Sequence, residues 1–209
     1  AKGSGMIHPN MGTMLCFITT DCAITAEMIQ KALLAAVNVS FNRISVDGDT
    51  STNDMCCVMA NGLAGNACID SENDGYRAFV AALTEMCIAL ARAMAADGEG
   101  ATHLVTCAVH GAKDTVSAEN ISKSVISSTL VKAAMFGSDA NWGRVLCAMG
   151  YSGEEFDPDK VTVAFKSGAG SVVVCEDGRG LDFDEDAAKR VLSEHEIIID
   201  ITMGEGSGD

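Results

Sequence analysis

The chain has 209 residues, of which 48% are hydrophobic and 21% are charged, so it can bury a sizeable core and disorder is disfavoured. Its formal net charge of -15, with 14 lysines and arginines, disfavours nucleic acid and anionic membranes as partners. No run of about 18 apolar residues is free of charge, so we expect no membrane span.

Short apolar runs and helical patterns alternate through the first part of the chain. Apolar runs predict buried strands at residues 14–20, 55–60 and 103–110. Apolar residues at helical spacing predict helices at residues 25–40, with Thr25 as the cap, at 79 to about 98, and at 121–136. The alternation indicates a mixed α/β fold.

The apolar helical pattern is interrupted at residues 137–141 by a short run of small and polar residues with the sequence GSDAN. Beyond them we predict a helix at 142–149, strands at 161–166 and 171–176, a helix at 185–192 and a strand at 196–203. We therefore place a domain boundary near Asp139, which gives a larger domain at 1–139 and a small α/β domain at 140–209.

Nine cysteines are distributed along the chain, most of them inside apolar runs and none in a Cys-x-x-Cys pair. This spacing suits neither zinc nor a disulfide framework, and we expect buried, reduced thiols in a cytoplasmic protein. The four histidines are scattered, so no metal site is predicted from them. The chain opens without methionine and stops soon after an apolar run, and we expect a fragment or one product of a processed precursor.

A first candidate for chemistry is the junction between Gly12 and Thr13, at the head of the first predicted strand. Cleavage of that bond would give Thr13 a free α-amine beside its own hydroxyl. Such an amine can act as the base that activates the hydroxyl as a nucleophile. The local pattern is weak by itself, because glycine often precedes a strand that begins with threonine.

A second candidate is the stretch from Val46 to Asp54, which packs three acids and three hydroxyls into a turn. One interpretation is a Mg²⁺ phosphatase in which Asp47 attacks phosphorus and Asp49 is the general acid. The other is a turn whose side chains satisfy backbone amides. A third candidate is Glu99, which lies between two glycines after a predicted helix and could hold a substrate ammonium group. A fourth is Lys2. For both residues, the local pattern alone favours an ordinary solvated charge.

Six stretches together resemble the bifunctional glutamate N-acetyltransferase/ornithine acetyltransferase family. They are KGSGMI at 2–7, PNMGTML at 9–15, SFNRISVDGDTSTND at 40–54, ANG at 60–62, GEGAT at 98–102 and NWGR at 141–144. The resemblance implies an N-terminal-nucleophile-like αββα sandwich followed by a small α/β domain. It also implies self-cleavage between Gly12 and Thr13, with Thr13 as catalytic nucleophile and Lys2, Thr13 and Glu99 binding substrate.

The implied reaction moves an acetyl group from N-acetylornithine to glutamate through an acetyl-threonine intermediate, in arginine biosynthesis in the cytoplasm. No cofactor or metal is implied, although some members also use acetyl-CoA as a co-substrate. The implied partner is an α chain that ends at Gly12, in a hetero-tetramer of two α and two β chains.

This sequence departs from the family pattern at Gly12, where alanine is usual, and at His8, where a small residue is usual. The family's oxyanion-hole threonine–glycine pair would precede Lys2, and a further substrate-binding asparagine and threonine would follow Asp209. Three alternatives stay open: a self-processed aminopeptidase or amidase, the Mg²⁺ phosphatase, and an inactive scaffold.

Overall fold

The structure, a computed structural model, describes residues 1–8, 14–204 and 206–209. It divides into two compact units, Ala1–Gly100 and Ala101–Asp209. Both units combine helices with a sheet, so the predicted mixed α/β class is confirmed. The predicted strands and helices are found within a few residues of their expected bounds, with one exception in the second unit.

In the described part of the first unit, two parallel strands pack against two helices. The elements are β1 (Leu15–Thr20), α1 (Ala26–Asn38), a 3₁₀ turn (Phe41–Arg43), β2 (Met55–Ala60) and α2 (Asp74–Ala96). Thr25 caps α1 by accepting a hydrogen bond from the Met28 amide at 3.3 Å, as predicted. Apolar residues of both strands and both helices share one core.

The sheet of the first unit is buried on one face only. Cys16 and Ile18 of β1 point into the core, whereas Phe17 on β1 is 57% exposed and Met59 on β2 is 51% exposed. We expected both strands to be buried on both faces, and this is wrong: the face that carries Phe17 and Met59 is exposed in this chain. Helix α2 is long and apolar enough to cross a membrane by length and composition alone, and its residues Leu83 and Cys87 lie in the core of the first unit.

In the second unit, helices cover one face of a mixed sheet with strand order β3-β7-β4-β5-β6 among the described residues. Its strands are β3 (Leu104–His110), β4 (Thr162–Ser167), β5 (Gly170–Glu176), β6 (Arg179–Gly180) and β7 (Glu196–Thr202). Its helices are α3 (Thr115–Ser127), α4 (Thr129–Phe136), α5 (Trp142–Gly150) and α6 (Glu185–Leu192). Strand β3 runs parallel to β7, and the other pairs are antiparallel.

The single helix predicted at 121–136 is wrong, because the segment forms two helices that meet at Ser128. Ser128 has an extended backbone and accepts a hydrogen bond from the Val131 amide at 3.3 Å, which starts α4. Asp114 caps the start of α3 in the same way, 2.8 Å from the Ser117 amide. Consecutive hydroxyl side chains compete with the helix backbone for hydrogen bonds and favour such a break.

The division into compact units does not coincide with the boundary predicted near Asp139. Helices α3 and α4 precede Asp139, yet they pack with β3 and α5 inside the second unit. The polar residues 137–141 are a turn between two helices, with Gly137 ending α4 and Asn141 capping α5. Turn residues at helix ends have the same composition as a linker, so composition alone does not separate the two.

Replacing Gly178 with alanine is expected to destabilise the second unit by about 2 kcal/mol or more. Gly178 has a φ of +68°, and an added Cβ would lie 2.4 Å from the Pro158 carbonyl oxygen. Thermal or denaturant unfolding of the protein measures the loss. Gly168→Ala is the matched control, because an added Cβ there meets nothing within 4 Å, and equal effects at the two glycines would contradict the prediction.

Candidate functional site

The segment of residues 1–8 is bound beside the head of β1. Lys2 and Leu15 exchange two backbone hydrogen bonds, from the Lys2 amide to the Leu15 carbonyl at 2.9 Å and in reverse at 3.0 Å. Ile7 is fully buried in the core of the first unit. The backbone of Lys2 therefore lies next to the strand that begins two residues after Thr13.

The loop of residues 45–54, which we name the clasp loop, holds the same segment by side chains. The Asp47 carboxylate accepts hydrogen bonds from the Met6 amide at 2.5 Å and from the Ile7 amide at 3.1 Å. It also accepts the Asp49 amide at 3.0 Å, which closes a tight turn in the loop. The Val46 amide donates back to the Ile7 carbonyl at 2.6 Å.

His8 is held by the clasp loop as well. Its Nδ1 lies 3.0 Å from Ser45 Oγ, and its carbonyl oxygen accepts the Thr50 hydroxyl at 3.0 Å. On the other side of residues 9–13, the Asp54 carboxylate accepts the Met14 amide at 2.7 Å. The clasp loop therefore contacts the chain both before and after the predicted cleavage site.

Backbone amides determine the charge state of Asp47. Partial burial raises the pKa of this carboxyl, but hydrogen bonds from the amides of Asp49, Met6 and Ile7 outweigh burial, and the pKa is below its ordinary value. Both carboxylate oxygens are engaged by these amides. The geometry therefore supports the interpretation of a turn that binds backbone, and it gives no support to Asp47 as a phosphatase nucleophile.

Replacing Asp47 with asparagine is expected to lower the free energy of unfolding by about 1–2 kcal/mol at pH 7, because charge-assisted hydrogen bonds to partly exposed amides are lost. The folded pKa lies below the ordinary value of about 3.9, so the contribution is complete well above pH 4 and is lost as the pH falls through the folded pKa. Unfolding curves from pH 7 to pH 2 should show the difference between wild type and variant shrinking at the acid end.

Asp49→Asn is the control for that experiment, because it removes an exposed carboxylate from the same loop. A difference between Asp47→Asn and wild type that stays constant down to pH 2 would contradict the proposed amide binding.

Glu99 follows the end of α2 and lies beside the segment of residues 1–8. Its amide donates to the Ser4 carbonyl at 2.7 Å. A Cβ added to Gly5 would lie 3.0 Å from Glu99 Oε2 and 3.7 Å from Asp47 Oδ2, so both carboxylates lie close to this glycine. Gly5 therefore leaves the space that the two side chains use.

Each of the two glycines that flank Glu99 is required by the structure for a different reason. Gly98 is buried against Val46 of the clasp loop, and an added Cβ would lie 3.0 Å from Val46 Cγ1. Gly100 has a φ of +74°, a conformation that other residues rarely adopt. The pair fixes how the chain leaves α2 and presents Glu99, which is itself exposed.

The structure thus brings three sequence-predicted features together in the first unit: the backbone of Lys2, Glu99, and the start of β1. Gly12 and Thr13 lie outside the described residues, so their predicted roles stay predictions. The hydrogen bonds that Asp47 and Asp54 make to residues 6, 7 and 14 were not foreseen. The sequence feature that indicates these hydrogen bonds is the group of three acids, Asp47, Asp49 and Asp54, just before β2, the strand that pairs with β1.

Three thiols lie in the core beneath the start of β1. Cys16 is opposite Cys56 in the parallel register, and Cys16 and Cys87 are fully buried. Burial and the neighbouring sulfurs raise the pKa of Cys56 to about 12 and that of Cys87 to about 11. All nine cysteines of the chain are free thiols, but the expected burial is wrong for most of them: three are buried, four are partly buried, and Cys68 and Cys147 are exposed. The raised pKa values of the group beneath β1 disfavour a reactive thiolate there.

The ArgJ family model matches residues 1–209 of the chain. The chain is 52% identical over 206 residues to the arginine biosynthesis bifunctional protein ArgJ of Thermotoga neapolitana, covering 99% of this chain and 52% of that protein. It is equally similar to ArgJ 1 of Clostridium acetobutylicum, at 52% identity over 99% of this chain and 50% of that protein. The chain spans about half the length of the curated relatives it matches.

A crystal structure of arginine biosynthesis bifunctional protein ArgJ from Bacillus halodurans has the same fold. The match has a TM-score of 0.88 and 43% sequence identity, and it covers 94% of this chain and 91% of that one. The solved chain is therefore of similar length to the present one.

Proposed function

This chain belongs to the ArgJ family, and on that premise we propose that it serves an acetyl transfer from N-acetylornithine to glutamate in arginine biosynthesis. The observation that carries the proposal is the convergence of residues 1–8, Glu99 and the clasp loop around the start of β1, directly after Thr13. The family resemblance assigns nucleophile and substrate-binding roles to the same neighbourhood.

The proposed reaction has two acyl-transfer steps on Thr13. The free α-amine accepts the hydroxyl proton as the oxygen attacks the acetyl carbonyl of N-acetylornithine. The C–N bond then breaks, the departing nitrogen takes the proton, and ornithine leaves an acetyl ester on Thr13. The amine of glutamate attacks that ester, which releases N-acetylglutamate and restores the hydroxyl.

The free amine requires that the bond between Gly12 and Thr13 has been broken. We propose that the protein cleaves itself there and that residues 1–12 remain attached as the end of an α chain. Contacts of residues 1–8 support retention, because Ile7 is buried and the backbone is tied to Leu15, Val46 and Glu99. The half-length Bacillus halodurans chain also supports a protein that exists as two chains.

Lys2 and Glu99 are proposed to bind the charged groups of the substrate. A lysine ammonium suits a substrate carboxylate, and a glutamate carboxylate suits the terminal ammonium of N-acetylornithine. Such charge-assisted hydrogen bonds place the acetyl group at the nucleophile and contribute to specificity.

The remainder of the site is proposed to come from two further parts of the protein, one that precedes Lys2 and one that follows Asp209. There the family resemblance places the oxyanion hole, which stabilises the tetrahedral intermediate. We further propose a cytoplasmic hetero-tetramer of two α and two β chains that needs no metal or cofactor, with acetyl-CoA as an optional acetyl donor.

The dependence of ornithine release on glutamate tests the proposal. The full-length protein, incubated with N-acetylornithine, should release ornithine continuously only when glutamate is supplied, and labelled acetyl should appear on N-acetylglutamate. Without glutamate, release should stop at about one ornithine per site. Continuous release without glutamate, with acetate as product, would instead identify an amidase.

A further inference from the structure

The last residue of the clasp loop and the first residue of β2 together hold both backbone polar groups of Met14, the residue after Thr13. The Met14 amide donates to Asp54 Oδ1 at 2.7 Å, and the Met14 carbonyl accepts the Met55 amide at 2.9 Å. Met14 is 4% exposed, so its backbone has little freedom to find other partners. Asp54 and Met55 are consecutive, and β2 begins at Met55.

The Met14 nitrogen belongs to the peptide group that contains the carbonyl carbon of Thr13. A carboxylate on this N–H therefore restrains the Met14 nitrogen, which is covalently bonded to Thr13. Reactive groups must be held within about 0.5 Å of their productive position, and a misplacement of about 1 Å can cost about a hundredfold in rate. A fixed acceptor at Asp54 supplies such a restraint through the backbone of Met14.

The acceptor itself is well anchored. Ser51 is 6% exposed, and its hydroxyl accepts the Asn53 amide at 3.1 Å, one residue before Asp54. Asp54 is followed at once by the paired strand β2, so its backbone is fixed on both sides. Partial burial raises the pKa of Asp54 and the Met14 amide opposes part of this rise, as expected for a desolvated carboxyl engaged with one backbone donor.

From this geometry we propose that Asp54 is a positioning residue that holds Thr13 in place through the Met14 amide, for self-cleavage and then for acetyl transfer. The inference rests on the proposed function. Its counterpart Asp47 binds residues 6 and 7, on the other side of the bond between Gly12 and Thr13. After cleavage Asp47 holds the end of the first chain, and Asp54 continues to hold the nucleophile.

The test compares Asp54→Ala, Asp54→Asn and wild type in the full-length protein. The asparagine oxygen still accepts the amide, but without charge. We expect self-cleavage in pulse-labelled translation to slow by about tenfold or more in Asp54→Ala. In cleaved protein, kcat per acetylatable Thr13 should fall by about a hundredfold in Asp54→Ala and by about threefold to tenfold in Asp54→Asn, with KM for N-acetylornithine within about twofold of wild type.

Asp49→Asn is the matched control, since it changes an exposed carboxylate of the same loop and should behave as wild type. A purely structural role would lower the number of acetylatable sites and leave kcat per site unchanged, which would overturn the inference. If Asp54→Ala does not fold, the kcat of Asp54→Asn decides: a wild-type value overturns the inference. Failure of the proposed function is separate, since wild type itself would then not cleave or form acetyl-Thr13.

Discussion

Replacing Thr13 with alanine is expected to leave the full-length protein uncut between residues 12 and 13 and to lower acetyl transfer by at least about 10⁴-fold. The hydroxyl is required twice in the proposed chemistry, once to attack the preceding carbonyl and once to carry the acetyl group. Mass spectrometry of the purified protein would report one intact chain in place of two. Ornithine release in the presence of glutamate would report the loss of transfer.

Thr13→Ser is the control for this prediction, because it keeps a hydroxyl at the same position. Partial cleavage and partial transfer are expected, with labelled acetyl recovered on the substituted serine when glutamate is withheld. If the intact protein transfers acetyl at the normal rate, or if Thr13→Ala does so, Thr13 is not the nucleophile.

Local signals allowed most of the fold to be predicted from the sequence. The strand at 55–60 and the helix at 185–192 have the predicted bounds. In both places the spacing of apolar residues and the flanking turn residues indicate the same start and end. Thr25 as a cap was predictable because threonine precedes an amphipathic run. The break at Ser128 was missed because apolar spacing continues across it, and only the hydroxyl side chains stop the helix.

The site was less predictable, because its contacts join residues that are distant in the chain. Asp47 binds the Met6 amide across 41 positions, and Asp54 binds the Met14 amide across 40. Nothing local distinguishes those carboxylates from the other acids of a polar turn. What could be predicted was that this turn precedes a strand, and the parallel pairing of that strand with β1 then brings the turn to the head of β1.

Several residues whose type suggested a catalytic or binding role have a structural role in this fold. Asp47 and Asp49 suggested a phosphatase pair, but the Asp47 carboxylate accepts the Asp49 amide and two amides of residues 6 and 7. Gly98 and Gly100, which flank the candidate Glu99, serve packing and backbone conformation: Gly98 packs on Val46 and Gly100 adopts a positive φ. The glycines shape the backbone around Glu99, and the role of Glu99 in binding substrate stays a prediction.

Replacing Glu99 with glutamine is expected to remove the preference for a substrate that carries a terminal ammonium. A charge-assisted hydrogen bond contributes about 1.5–3 kcal/mol, which is roughly 10- to 150-fold in kcat/KM. Wild type should therefore prefer N-acetylornithine over N-acetylnorvaline, which lacks only the terminal amine, by about that factor. Glu99→Gln should use both substrates at similar, low efficiency.

Lys2→Gln is the matched control, because the carboxylate that Lys2 is proposed to bind is common to both substrates. It should lower kcat/KM for both by a similar factor and leave the preference between them unchanged. A Glu99→Gln variant that keeps the wild-type preference would show that another group binds the ammonium. Since the two variants remove opposite charges from the same neighbourhood, a general loss of folding would lower both efficiencies without reproducing this pattern, so the change in preference isolates the contact between Glu99 and substrate.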